Sequence, residues 1–331
     1  MKKIQIILVI MILICIMNMQ ISAQSKTTEL RMGLVTTPTQ AMTMTAHKFA
    51  ELVNELTKGQ VKINVFDSGT LGSEAEIVGY IKLGSIHLGG ANYQTLAEWS
   101  PILGVLSPPS LFRDKDHYLR VVTGPVGKEL HEELRKSAGI RVLYNTYLGE
   151  IYLTSNKPYY KPDDLKGVKM RSFPTELSVA NVAAVNATPV TIPFADLYVA
   201  LQTNMVEMQE NSLATIASVK LYEVQKYALE TRSRFNGSVG IINEDVFQSL
   251  DPEIQRILLE AGKIATFYNN YLILEQEAQA KSYLQEKGMQ IITVDDGLDL
   301  NAFTEVYKNK VWPKFLEEWG GQKMIDKIMN E

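Results

Sequence analysis

Short strand-like runs alternate with helical runs along most of this 331-residue sequence, and that alternation restricts its fold more than any other feature. Val61 to Phe66 alternates apolar and polar residues, which indicates a strand. Thr43 to Leu56 places apolar residues at helical spacing, Ser73 suits the cap of a further helix, and 114–136 is predicted to be helical. We therefore expect an α/β architecture, and the length suits two domains.

One helical pattern is unusually long. It begins at Pro252, where proline is tolerated because the first helical turn makes no use of the missing N–H, and it continues to about Lys287. Most helices of globular proteins are shorter than this. A core helix with a break in it would explain the pattern from the sequence alone.

Residues 1–23 are predicted to be a secretory signal peptide. Met1-Lys2-Lys3 precedes an apolar run from Ile4 to about Met17, and Ile21-Ser22-Ala23 offers a cleavage site of the A-x-A kind. The apolar run is shorter than the ~20 residues that a membrane span needs, and a retained signal anchor is the alternative. Cys15 follows Ile14 rather than a small residue, so we expect that the protein is not a lipoprotein.

Composition excludes several classes of function. Cleavage after Ala23 would remove the only cysteine, Cys15, and would change the formal net charge from −4 to −6 because two lysines leave with it. Such a chain has no disulfide framework and no thiolate zinc site, and its mild acidity disfavours nucleic-acid binding. We predict no metal site and no cofactor, since the histidines are scattered: His47, His87, His117 and His131.

Enzyme motifs fail on inspection. Gly124-Pro-Val-Gly127-Lys128 has two residues between its glycines where a phosphate-binding loop needs four, and Glu129 follows where Ser or Thr is needed. His131-Glu132-Glu133-Leu134-Arg135 begins like a zinc-protease helix but carries Arg at the second ligand position. We therefore do not predict an enzyme.

The segment from Gly167 to Asn211 points to ligand binding. An apolar run ends at Arg171, and the polar cluster Gln209-Glu210-Asn211 follows two helix-like stretches later. A guanidinium presents a planar fork of donors that matches the two oxygens of a carboxylate, and it stays charged at any working pH. The alternative on chemistry alone is a surface arginine in an ordinary ion pair.

Three stretches of this region resemble the substrate-binding proteins of TRAP transporters, the DctP-like family. They read LKGVKMRSF, NATPVTIPFADLYVALQTNMVEMQENS and LYEVQKY, in the order and spacing of the family pattern. The resemblance implies a two-lobed periplasmic-binding-protein fold, type II-like, with a hinge cleft and a long helix that spans both lobes. It places lobe one at 25–148 plus 237–275, and lobe two at 149–236 plus 276–331.

The resemblance also implies site residues in lobe two. Arg171 aligns with the carboxylate-clamping arginine of the family, and Asn211 aligns with the pocket asparagine, whose amide could donate to the same carboxylate or to a hydroxyl. Phe194 aligns with an aromatic residue that packs against ligand in many members. Core packing at the start of a helix is the alternative role for Phe194.

Lobe one is expected to supply the other side of the cleft. Asn92 aligns where several members place a polar pocket residue after a strand. Thr36 and Thr37 follow the first strand, and the carboxyl ends of strands are the expected ligand side of open α/β sheets.

One departure from the family pattern bears on the ligand. Many members carry a second arginine on the strand before TSN, whereas 148–156 contains none and has Glu150 and Ile151 there. A buried carboxylate without a cation is unfavourable, so a second carboxylate would be unpaired. We therefore expect a monocarboxylate to bind better than a C4-dicarboxylate, with an apolar wall near Ile151 and Phe194.

The resulting prediction is a periplasmic solute-binding receptor that captures an organic acid and delivers it to the membrane permease of a TRAP-type secondary transporter. A sensory binding protein for a signalling kinase is the first alternative. A periplasmic lyase or hydrolase is the second, and Glu210 or Glu150 would then be its base near Arg171.

Overall fold

The computed structural model describes residues 27–331, and two β-sheets organise that part of the chain. The predicted signal peptide, and with it the prediction that Cys15 is not lipidated, lies outside the described residues. Across residues 27–331, no helix combines the length and the apolar character that crossing a membrane requires.

The first sheet has five strands. Its three N-terminal strands are parallel, and the strand that returns from the second sheet pairs antiparallel with both of its neighbours. The spatial order is Val61–Phe66 (β2), Thr28–Gly33 (β1), Leu88–Asn92 (β3), Phe235–Asn243 (β10) and Ile140–Glu150 (β4).

The second sheet has six strands and mixes parallel with antiparallel pairs. The spatial order is Gln290–Ile292 (β11), Tyr227–Leu229 (β9), Tyr152–Ser155 (β5), Met208–Asn211 (β8), Lys169–Ser172 (β6) and Thr188–Thr191 (β7).

Helices cover both sheets, as expected for an α/β protein. The α-helices are Ala41–Leu56 (α1), Glu74–Lys82 (α2), Tyr93–Ala97 (α3), Lys115–Thr123 (α4), Pro125–Ala138 (α5), Glu176–Ala184 (α6), Leu197–Gln202 (α7), Leu213–Ser218 (α8), Glu244–Ser249 (α9), Pro252–Glu286 (α10), Leu300–Lys310 (α11), Trp312–Phe315 (α12) and Gly321–Met329 (α13). Short 3₁₀ turns are Pro101–Leu106, Pro162–Leu165, Phe194–Asp196, Leu221–Glu223 and Val294–Asp296.

Local sequence explains where several elements begin and end. The predicted cap at Ser73 is confirmed as a reciprocal capping box, in which the Ser73 hydroxyl accepts from Glu76 N and the Glu76 carboxylate accepts from Ser73 N. The single helix predicted over 114–136 is wrong, because α4 ends and α5 begins at Gly124. Pro125 disfavours a helical backbone in the residue before it, so Gly124 is extended.

The long helix α10 is continuous over 35 residues, so the alternative of a core helix with a break is wrong. At 1.5 Å per residue it is roughly 52 Å long. It packs on β4 and α1 beside the first sheet, and on α8 beside the second. The expected lobe-spanning helix is thus confirmed.

The chain crosses between the lobes at three places. Ile151 alone separates β4 from β5, residues 230–234 join β9 to β10, and α10 makes the third connection. The predicted lobe boundaries stay a prediction, with one correction at the C terminus. The last helix, α13, lies against the first lobe rather than the second, where His117 Nε2 is 2.8 Å from Ile328 O.

Candidate functional site

A cavity of about 290 Å³ lies between the two sheets. The segments that follow β1 and β3, the end of β6 and the end of β8 all contribute to its wall, so it sits at the carboxyl ends of strands. Its volume is at the small end of the range of about 300–1,000 Å³ that is usual for small-molecule sites. The cavity therefore suits a compact organic molecule.

The structure brings five of the six predicted site residues to this cavity. Thr37 is the exception, since it lines a neighbouring cavity and its backbone N–H donates to Gln40 Oε1 at 2.8 Å. The five residues at the wall are Thr36, Asn92, Arg171, Phe194 and Asn211. Whether each contacts a ligand stays a prediction.

Arg171 is fixed at the base of the cavity by two contacts. Its Nε donates to Ile192 O at 2.9 Å, and its guanidinium carbon lies 4.0 Å from the centre of the Phe173 ring. The side chain is only 1 % exposed, and its Nη1 atom is buried with no hydrogen-bond partner among the described residues. A buried charged donor without a partner is rare and calls for an anionic ligand.

Burial lowers the pKa of Arg171 to about 10, while the carboxylates of Glu210 and Glu74 oppose that shift. The guanidinium therefore stays protonated at neutral pH. It can offer a charged donor to a carboxylate in a place from which water is largely excluded.

The polar cluster after β6 and β7 forms the strand β8 and a chain of hydrogen bonds. The Asn211 amide nitrogen donates to Gln209 Oε1 at 2.5 Å, and Gln209 Nε2 donates to Thr154 Oγ1 at 2.9 Å. Gln209 engages one N–H of the Asn211 amide and leaves the second to donate, so the expected hydrogen bond from Asn211 to a ligand stays a prediction. The Asn211 amide oxygen remains as an acceptor.

Neither of the two bases considered for an enzyme reaches the cavity wall. Glu210 is buried in an ion pair with Arg234, with 2.5 Å between Oε1 and Nη2. Glu150 lies outside the cavity and is 3.6 Å from Arg232. Of the apolar wall predicted near Ile151 and Phe194, Phe194 lines the cavity, whereas Ile151 is buried and does not line it, and Leu148 lines it instead.

Glu74 is a cavity residue that the sequence did not reveal. Its Oε1 accepts from Thr95 Oγ1 at 2.5 Å and from Asn92 N at 3.0 Å, and its Oε2 accepts from Asn92 Nδ2 at 3.0 Å. The Ser73-x-x-Glu76 spacing of the capping box assigns Glu76 to the cap, but no sequence signal indicates that Glu74 bonds to Asn92. Only the packing of α2 against β3 shows which one faces Asn92.

The environment of Glu74 opposes its ionisation. Burial raises its pKa, and the hydrogen bonds from Thr95 and Asn92 and the positive charge of Arg171 oppose that shift. Asn92 Oδ1 is buried without a hydrogen-bond partner in residues 27–331. This side of the cavity thus offers hydrogen-bond acceptors.

Arg171 is the only Lys or Arg among the described residues that line the cavity. Residues 27–331 contain no group of three or more His, Cys, Asp or Glu side chains that could hold a metal ion. The chemistry of the site is therefore one cation facing acceptors and apolar side chains.

Two lobes joined by a hinge, with a cavity between them that presents one buried arginine, define a solute-binding protein. Residues 32–318 match the model of bacterial extracellular solute-binding protein family 7, DctP, and the chain belongs to this family. The family and the two-lobed α/β fold predicted from the sequence are confirmed.

Three known proteins illustrate the similarity. The 2,3-diketo-L-gulonate-binding periplasmic protein YiaO of Escherichia coli K12 is 31% identical over 290 residues, which cover 87% of each chain. A TRAP periplasmic solute binding protein of Roseobacter denitrificans with bound L-galactonate is 28% identical, with a TM-score of 0.86 over 92% of this chain and 99% of that one. Another, of Shewanella oneidensis with bound succinate, is 25% identical, with a TM-score of 0.86 over 92% and 99%.

Proposed function

We propose that this chain is a periplasmic receptor that captures a hydroxylated monocarboxylate between its lobes and delivers it to a TRAP-type membrane permease. The buried, unpartnered Nη1 atom of Arg171 is the observation that carries the proposal. The ligand carboxylate binds there, because a guanidinium and a carboxylate form short, charge-assisted hydrogen bonds.

The opposite side of the cavity selects for hydroxyl groups. Glu74 and Asn92 Oδ1 accept hydrogen bonds, and a ligand hydroxyl can donate to either. A second ligand carboxylate would instead meet the Glu74 carboxyl, and like charges in a confined site disfavour ionisation of both groups. The site therefore favours a sugar acid over a dicarboxylate.

The ligands bound to known relatives support the proposal that the ligand carries a carboxylate. Those ligands differ from one another in the rest of the molecule. The L-galactonate of the Roseobacter protein is a hydroxylated monocarboxylate, as proposed here. The succinate of the Shewanella protein shows that this fold also accommodates a dicarboxylate. The choice between them for this chain rests on the single cavity arginine and on Glu74.

Lobe closure provides the mechanism of capture. A carboxylate that arrives at Arg171 contacts lobe two first, and closure then brings Glu74 and Asn92 of lobe one to its hydroxyls. Excluding water strengthens the guanidinium–carboxylate attraction. The permease would recognise the closed form, an expectation that rests on membership of the TRAP transporter class.

A thermal-shift screen followed by calorimetry tests the proposal. Aldonates, uronates and C4-dicarboxylates are compared on the wild-type chain, on Arg171→Ala, and on Arg256→Ala as a matched control, since Arg256 is an exposed arginine of α10. We expect aldonates or uronates to stabilise wild type and Arg256→Ala and to have no effect on Arg171→Ala. Stronger stabilisation by succinate or malate, or no response to any member of the panel, would refute the proposed ligand class.

A further inference from the structure

The three connections between the lobes converge on one cluster of charged side chains. The first contributes Glu150 at the end of β4, and the second contributes Glu230 and Arg232 between β9 and β10. The third is α10, which contributes Glu277 and Lys281. These five residues, here called the hinge cluster, lie outside the ligand cavity, so the proposed function makes no use of them.

Ion pairs and hydrogen bonds link the connections to one another. Arg232 lies 3.6 Å from Glu150 and donates to Glu230 at 2.9 Å, so it joins the first connection to the second. Lys281 of α10 lies 3.7 Å from Glu230, so it joins the third connection to the second. The backbone of Arg232 is in the left-handed region, with φ 43°, which L residues with side chains adopt rarely and with strain.

Glu277 contacts the first connection directly. Its Oε1 accepts from the backbone N–H of Glu150 at 3.1 Å. The approach is so close that a Cβ atom at Gly149 would lie 2.1 Å from Glu277 Oε1, and Gly149 has φ 104°. Only glycine fits there, because both the space and the backbone conformation exclude a side chain.

The surroundings of Glu277 disfavour its charge. Burial raises the pKa of Glu277 from 4.5 to about 7, the nearby Glu150 carboxylate raises it further, and the backbone N–H of Glu150 and the charge of Lys115 on α4 oppose the shift. The Tyr147 hydroxyl on β4 is the other titratable group that faces Glu277. Lys281, one helical turn further along α10, is engaged by Glu230.

We propose that Glu277 is a protonation-dependent latch on the hinge between the lobes. Protonated Glu277 holds the conformation described here, in which α10 rests against Gly149 and Glu150. Ionised Glu277 favours rotation of the lobes, because rotation at the β4–β5 junction separates it from the Glu150 carboxylate and admits water. Neither step requires a ligand.

The size of the effect follows from linkage. A group with a pKa of about 7 in one conformation, and its ordinary value of 4.5 when hydrated in the other, favours the first conformation as pH falls through 7. The ratio of the latched to the opened form should then be about tenfold higher at pH 6 than at pH 8.

The distance between the lobes of the ligand-free chain tests the latch. Spin labels are attached to Glu55→Cys on α1 and Val199→Cys on α7, both exposed positions, in a chain that also carries Cys15→Ser. Distance distributions are recorded at pH 6, 7 and 8 for this chain, with Glu277→Gln added, and with Glu275→Gln added as the matched control. Glu275 is an exposed glutamate of the same helix, two positions earlier. Circular dichroism confirms that each variant is folded.

We expect the short-distance population of the parent and of Glu275→Gln to grow as pH falls from 8 to 6. Glu277→Gln should show that population at every pH, because a neutral amide cannot ionise. A parent distribution that does not change with pH overturns the proposal, whether or not Glu277→Gln folds. A pH dependence that survives in Glu277→Gln assigns the effect to another carboxyl and overturns it as well.

Discussion

The two walls of the ligand cavity differ in which of their polar groups lack a bonding partner in the ligand-free protein. The lobe-two wall, consisting of Arg171, Phe173, Phe194 and Asn211, holds a cation whose Nη1 atom has no partner among the described residues. The lobe-one wall, consisting of Thr36, Glu74, Asn92 and Thr95, holds a carboxyl that already accepts three hydrogen bonds. The first wall needs an anion to pair with its cation, whereas the second has a satisfied carboxyl and needs a donor for the neutral acceptor Asn92 Oδ1.

This difference separates affinity from selectivity. The lobe-two wall supplies the strongest interaction, since a charged pair in a confined site is worth more than a neutral hydrogen bond. The lobe-one wall decides which groups can stand at the other end of the ligand. Changes on the two walls should therefore have different signatures, and the following predictions test that separation.

The largest effect is expected for Arg171→Ala. Truncating one partner of a buried charged pair should weaken binding of a sugar acid by about 2–5 kcal/mol, or roughly 30- to 4,000-fold. Isothermal titration with the aldonate or uronate found by the screen measures it, and Arg256→Ala is the control. Near-wild-type affinity in Arg171→Ala would show that the ligand carboxylate does not bind to Arg171.

Arg171→Lys sharpens the assignment, because it keeps the charge and loses the planar fork. Losing one hydrogen bond to a charged group should weaken binding by about 1.5–3 kcal/mol, less than the alanine change. The same titration compares the two variants. Equal affinity of Arg171→Lys and wild type would show that charge alone, without bidentate geometry, holds the ligand.

Glu74→Gln tests the lobe-one wall. Replacing the carboxyl acceptor by an amide should weaken the binding of a hydroxylated acid by roughly 1 kcal/mol and should narrow the difference in affinity between that acid and succinate. Affinities for both ligands are measured, with the exposed Glu55→Gln on α1 as the control. If the affinities for both ligands fall equally, Glu74 stabilises the lobe-one wall but does not select between the ligands.

The pH dependence of stability should also distinguish the walls. Because burial raises the pKa of Glu74, its contribution to stability is present below its ordinary value of 4.5 and is lost as pH rises through the folded-state pKa. Glu74→Gln should therefore gain stability relative to wild type between pH 5 and pH 8. Arg171→Met should instead lose stability relative to wild type as pH rises over that range, because removing the positive charge of Arg171 raises the pKa of Glu74 further. Urea unfolding at each pH provides the comparison.

The smallest effect is expected for Thr37→Ala. Thr37 faces the neighbouring cavity and bonds to Gln40, so its hydroxyl should change the affinity by no more than about 0.5 kcal/mol. A larger loss, measured by the same titration, would mean that the ligand extends beyond the cavity between the two walls.

The sequence predicted one wall better than the other for a physical reason. The lobe-two wall comes from a continuous segment in which Arg171 and Asn211 end neighbouring strands, so local pattern and family likeness both locate them. Glu74 joins the site only through the packing of α2 beside β3, which depends on contacts between residues 18 positions apart in sequence. The sequence holds no local signal for such contacts.

The fold was predictable to a similar degree. Alternating and helical periodicity located β2, α1 and the capped α2, because those patterns follow directly from which face is buried. Family likeness gave the lobe-spanning role of α10. The packing of α13 on the first lobe was missed, since an amphipathic helix shows that a face is buried but not against what.

The stacking of Arg171 on Phe173 has a consequence for the thermodynamics of binding. A flexible arginine loses about 2 kcal/mol of rotamer freedom when a ligand orders it, but here folding has already ordered the side chain through Phe173 and Ile192 O. Phe173→Ala would return that freedom to the ligand-free protein. Calorimetry should then show a less favourable binding entropy, so the aromatic ring contributes to affinity by keeping the arginine still.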